Sequence, residues 1–121
     1  MYDSNCIKGP VAQPRNVIGG YVVSSFTGVV VRMVCAGIGL NRQWAMGGFA
    51  VAFALIFMNL TKTVHPPAGA VALISIIGPP GVQDQGFGYV ITSFGASVIL
   101  VGVAVVGNNL FPTRQYPTYW W

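Results

Sequence analysis

Glutamate is absent from this 121-residue chain, aspartate occurs twice, and charged residues make up 7% of the whole, against roughly 25% in an ordinary soluble domain. Paired-carboxylate acid–base chemistry and carboxylate-rich metal cages therefore have almost no material to work with. The two cysteines, Cys6 and Cys35, have neither a CxxC spacing nor a histidine neighbour, so no disulfide framework and no zinc site are expected. No cofactor is expected either. The basic residues Lys8, Arg15, Arg32, Arg42, Lys62 and Arg114 give a net charge of +4 but stand singly along the chain. A basic patch of the kind that binds nucleic acid is missing. What is abundant is apolar: 54% of the residues, with a mean hydropathy of +0.65. The lipid bilayer is the expected partner, and the length allows one domain.

The apolar residues come in blocks. Residues 17–40, interrupted by Arg32, would cover about 36 Å as a helix, enough to cross the roughly 30 Å hydrocarbon layer. After the polar turn Asn41-Arg42-Gln43, residues 44–60 run uncharged for about 25 Å, with Trp44 placed for an interface. Residues 68–77 follow His65-Pro66-Pro67 and make only about 15 Å of helix, half a bilayer. Gly78-Pro79-Pro80-Gly81 ends that segment, a polar loop with Gln83, Asp84 and Gln85 follows, and residues 89–106 supply another uncharged crossing. The aromatic tail from Tyr116 to Trp121 suits the headgroup layer. The expected fold class is all-α: a multi-pass membrane helix bundle of four membrane segments, of which the one after His-Pro-Pro is short.

Residues 1–12 read as a polar N-terminal segment, unlike a secretory signal, and residues 13–121 as the transmembrane domain. With Met1 as the start, the first hydrophobic block also does the targeting. Charge supports four segments over three. If the short one crosses, Lys8, Arg15, Lys62 and Arg114 share a side and Arg42 faces the other with Asp84, which is the better positive-inside pattern. Both termini then face one compartment. Small residues recur at helical spacing, Gly20, Ser24 and Gly28 in the first block and Gly95 with Gly102 in the last. Such rows let helices approach closely in lipid and support a bundle rather than a function. The Pro-interrupted backbone also needs shielding from lipid, which a second copy packed on the Gly20, Ser24, Gly28 face could supply.

Chemistry must then come from polar groups near lipid depth. Pro66 and Pro67 end one helix and can open the next, with Pro67 suited to the first helical position and the amides of Ala68, Gly69 and Ala70 left free behind it. A helix N-terminus with small residues, and with His65 and Lys62 close in sequence, could receive a small anion. The same residues also read as a plain helix break, with His65 capping and Lys62 reaching the interface; the two readings stand evenly. Gln13-Pro14-Arg15-Asn16 repeats the grammar ahead of Gly19 and Gly20. Arg15 and Asn16 could form a second half of a pathway, or an interfacial cap with Arg15 on lipid phosphate. Arg32, late in its block, is placed to reach the far interface.

The run from Leu60 to Ala70 containing His65-Pro66-Pro67-Ala68-Gly69-Ala70, together with Gln13-Pro14-Arg15-Asn16 and Tyr116-Pro117-Thr118-Tyr119-Trp120, resembles the HPP family of integral membrane proteins. That resemblance implies four membrane segments, a transport role, and an association with nitrite movement in plant plastid and cyanobacterial relatives; a plant-like source would imply the plastid envelope. The resemblance marks His65, Pro66 and Pro67 as signature residues without assigning their roles. Many members carry further hydrophobic sequence ahead of the Gln-Pro-Arg-Asn stretch. The leading expectation is a transporter or facilitator for a small inorganic anion such as nitrite. A non-transporting subunit, or an incomplete chain that assembles with a partner, is the alternative. An enzyme is not expected, because His65 has no acidic or thiol partner nearby in sequence.

Overall fold

The computed structural model describes residues 9–121, and among them every regular element is helical. Helix α1 spans Pro14–Gly37, α2 Gln43–Leu60, α3 Gly69–Ile77, α4 Pro80–Gln83 and α5 Gly88–Asn109. Two single 3-10 turns, Pro10–Ala12 and Pro66–Ala68, precede α1 and α3. Three of these helices, α1, α2 and α5, are long and apolar enough to cross a membrane, and α3 with its preceding turn is the short apolar one. Cys6 and Lys8, and most of the polar N-terminal segment, lie outside the described residues.

Helix α1 begins three residues before the apolar block because Pro14 takes the first helical position, where a missing N–H costs nothing, while Gln13 stays extended with φ −74° and ψ 152°. It is the central column, in contact with α2, α3 and α5. Helix α2 runs back beside it, so that Ser24 Oγ donates to Met58 Sδ at 3.6 Å. Helix α3 then rises parallel to α1 in the notch between α1 and α2: Gly20 lies against His65 and Gly28 against Ala72 and Ser75. Cys35, Met46, Ala50, Ala54, Met58, Ala68, Ala72 and Ile76 form the shared core.

The Gly20, Ser24, Gly28 row is thus consumed inside the chain and is not available to a second copy. A methyl group on Gly28 would stand 2.8 Å from the Ala72 carbonyl oxygen and 2.9 Å from its Cα, so this glycine is what lets two backbones nearly touch in lipid. Gly95 and Gly102 behave differently. Nothing in the described chain lies within 4 Å of a methyl group at either. They sit on α5 opposite Ser93, Ser97 and Val101, the residues it buries, beside Ile91 and Ile99, which are 74% and 69% exposed.

Breaking a helix at bilayer depth is tolerable only if the freed backbone groups find partners. Gly78 N–H donates to the Ile74 carbonyl at 2.8 Å. Gln83 Nε2 donates to the carbonyls of Ile76 at 2.9 Å and Gly78 at 2.8 Å, and Arg32 in turn donates to the Gln83 carbonyl. One arginine and one glutamine thus close the end of α3, and no described side-chain polar atom is buried without a partner. Helix α5 then returns antiparallel to α1. It continues past residue 106 because Asn108 and Asn109 donate back to the carbonyls of Ala104 and Val105 at 2.8 and 2.9 Å.

On the outer side, an apolar groove of about 780 Å³ separates α1 from α2, walled by Phe49, Phe53 and Phe57 over Val23, Val31 and Cys35. It holds no cation and suits lipid chains.

Candidate functional site

Three stretches far apart in sequence meet at one end of the bundle. The imidazole Nδ1 of His65 lies 2.7 Å from the carbonyl oxygen of Val11. Since a carbonyl can only accept, Nδ1 carries the proton, which leaves Nε2 of the neutral ring as a lone pair. Asn16 Nδ2 donates to the Val64 carbonyl at 3.3 Å. Tyr116 OH donates to the Ala12 carbonyl at 2.8 Å, and the amides of Thr118 and Tyr119 donate to Gln13 Oε1 at 3.0 and 3.4 Å. Asn109 brackets Tyr116, accepting from its amide at 3.1 Å and donating to its carbonyl. The result is a seal in which the residues before α1, the His-Pro-Pro turn and the aromatic tail share hydrogen bonds. Both ends of the described chain therefore sit at the same end of the bundle, as an even number of segments requires.

This geometry revises the proposed helix opening. Pro66, not Pro67, begins the turn, which is 3-10 rather than α. The Ala68 amide donates to the His65 carbonyl at 2.9 Å, and the Gly69 amide points back at the carbonyls of Pro66 and Pro67. Neither is a free donor, and both residues are buried. The cause is local: two prolines with fixed φ wind the first turn tightly enough for i to i+3 bonds. Ala70 is exposed, as are Pro66 and Pro67.

The charged members fare better. Lys62 is exposed and Arg15 half-buried, and neither has a hydrogen-bond or ion-pair partner among the described residues. Asn16 and Gly20 straddle the start of α1 against Val64 and His65, and Gly19 packs under Thr63. Arg15, one turn before Gly19 on the same side of α1, therefore shares this end with Lys62. His65 Nε2 is likewise unpartnered, and its ring tilts against Tyr21 with centroids 6.0 Å apart. The site is a positively charged end with an imidazole in it, not a row of bare amides.

Val11, Gln13 and Tyr116 were not among the expected site residues. Gln13 is fully buried, and its place directly before a helix-opening proline was the available signal, since a long amide there must find partners. Tyr116, read from sequence as a headgroup anchor, is 6% exposed, and burial pushes its phenol pKa above the ordinary value.

The profile of the family described as HPP, transmembrane region, matches residues 4–117. Two transmembrane proteins of Dictyostelium discoideum are 34% and 36% identical over 115 residues, each alignment covering 94% of this chain. The chain spans 36% and 40% of their lengths. No solved structure matches. With the family profile covering all the described helices, the chain belongs to the HPP family of transmembrane proteins.

Proposed function

We propose that this membrane domain is a carrier or facilitator for a small inorganic anion, with nitrite as the candidate ion, and that it acts without catalysing a reaction. The observation that carries this reading is the pair of cations Arg15 and Lys62, without partners among the described residues, at the end where Nε2 of His65 has no described partner either. An anion arriving there meets positive charge and no Asp or Glu side chain from any described residue at that end. Neutral His65 would offer it only a lone pair, whereas protonated His65 would offer a donor at Nε2. The test is nitrite uptake into liposomes holding only this chain. Uptake above empty vesicles that falls in Lys62→Gln and Arg15→Gln, at equal inserted protein, supports the reading; wild-type uptake in both variants rejects it.

A second reading is a non-transporting module that assembles with a partner. The observation favouring it is the outward face of α5, where Gly95 and Gly102 leave bare backbone toward lipid. A stable monomer with full uptake would remove it.

A further inference from the structure

At the end of the bundle away from His65, a crevice of about 410 Å³ lies between the last third of α1 and the loop after α4, lined by Arg32, Asp84, Gln83, Val29, Met33 and Phe87 among others. Arg32 is 18 residues beyond Pro14, about 27 Å along the helix, and five residues short of its end at Gly37. That depth is the boundary between hydrocarbon and headgroups on the far side. Two charges of opposite sign line this crevice without pairing to each other. Arg32 spends donor capacity on the Gln83 carbonyl alone, and exposed Asp84 has no partner among the described residues. A guanidinium has five N–H groups, so most of its capacity remains.

We propose that this crevice binds the headgroup of a zwitterionic, ethanolamine-type phospholipid, with the phosphate on Arg32 and the ammonium on Asp84. Both charges of the protein are then answered by one ligand. A free anion would answer only Arg32 and would meet Asp84 as a repulsive neighbour. Val29, Met33 and Phe87 offer apolar wall to the glycerol and first acyl carbons, which a free phosphate could not use. An ammonium also donates hydrogen bonds to a carboxylate, and a choline headgroup, fully methylated, cannot. The site therefore discriminates between two lipids of equal net charge. It is independent of anion movement at the other end.

Native mass spectrometry of the full chain in mild detergent, titrated with ethanolamine, choline and glycerol phospholipids of the same acyl composition, tests this. The ethanolamine lipid should bind about two- to five-fold tighter than the choline lipid, the lower part of the range expected of one net hydrogen bond that choline cannot make. Asp84→Asn should reduce that difference by weakening the ethanolamine lipid more than the choline lipid; being exposed, this change does not threaten the fold. Arg32→Lys, which keeps a charge for the Gln83 carbonyl but loses the forked geometry, should weaken all three lipids. Equal binding of ethanolamine and choline lipids to the unaltered chain overturns the proposal. So does tightest binding of the anionic glycerol lipid with displacement by inorganic phosphate, which would make the crevice a plain anion site, and so does an unaltered ethanolamine preference in Asp84→Asn.

Discussion

Gly39 and Lys62 occupy the same backbone seat at two successive helix ends. Each lies two positions past the last helical residue with positive φ, 74° and 55° respectively. In each case the next residue donates back to the third-last helical carbonyl, Leu40 to Cys35 and Thr63 to Met58, both at 2.9 Å. Glycine is the ordinary occupant of such a seat, and a lysine there carries the cost of a left-handed conformation. The lysine stands where its charge joins the end that holds His65. Lys62→Gly should therefore raise stability by up to about 1 kcal/mol, the left-handed cost of about 1–2 kcal/mol less the extra chain entropy glycine loses on folding, read by thermal or denaturant unfolding in micelles, while lowering nitrite uptake. Loss of stability would show that Lys62 makes a structural contact.

The Nδ1–H of His65 holds the Val11 carbonyl, and asparagine can place an amide donor at nearly the same position, whereas alanine cannot. His65→Asn should keep the unfolding midpoint close to that of the unaltered chain, and His65→Ala should lose about 1 kcal/mol, the net worth of one hydrogen bond. Equal unfolding midpoints for His65→Asn and His65→Ala, measured in the same micelles, would show that the bond to Val11 carries no stability.

Steric demand separates the two glycine rows. Gly28→Ala pushes a methyl group into the Ala72 backbone and should cost about 1–3 kcal/mol, as overpacking does. Gly95→Ala meets open space and should leave the isolated chain unchanged or slightly stabilised through helix propensity. Equal effects at both positions, in the same detergent, would contradict the packing described.

Tyr116 gives the seal a pH limit. Its buried phenol holds its proton more tightly when folded than when unfolded. Stability from this group is therefore complete below the ordinary phenol pKa of about 10 and declines as pH climbs through the higher folded value. Tyr116→Phe should cost about 1 kcal/mol at neutral pH by orphaning the Ala12 carbonyl, and should flatten that alkaline decline. The comparison is the difference between the two proteins from pH 8 to 11, so titration of lysines common to both cancels.

The helices were legible because apolar length in lipid leaves little choice. Residues 44–60 became Gln43–Leu60, and residues 68–77 became a proline turn plus Gly69–Ile77. The shortfall came where polar side chains support the backbone: a sequence pattern stops at Asn108 and Asn109, but their amides fold back and carry α5 onward. Of the expected residues, His65, Lys62, Arg15 and Asn16 come together at one end of the bundle, while Val11, Gln13 and Tyr116 and the bonds they make there were not legible. Val11, apolar and outside every block, gave no sign that its carbonyl would receive His65 from 54 residues away. The expectation of free Ala68 and Gly69 amides assumed an α opening at Pro67; the 3-10 turn from Pro66 is one hydrogen-bond register tighter and uses both. Arg32 was expected at the far interface; what spacing could not reveal is that Gln83 would be waiting there for it.

The hydrogen bond between Tyr116 and Ala12 joins positions 104 apart, so it can form only after every described helix between them has been made. The same holds for the Thr118 and Tyr119 amides on Gln13. Closure of this end therefore reports the direction of α5: a chain whose α5 crossed the opposite way would carry Tyr116 to the other side of the membrane and leave the Ala12 carbonyl and the Gln13 side chain without these partners.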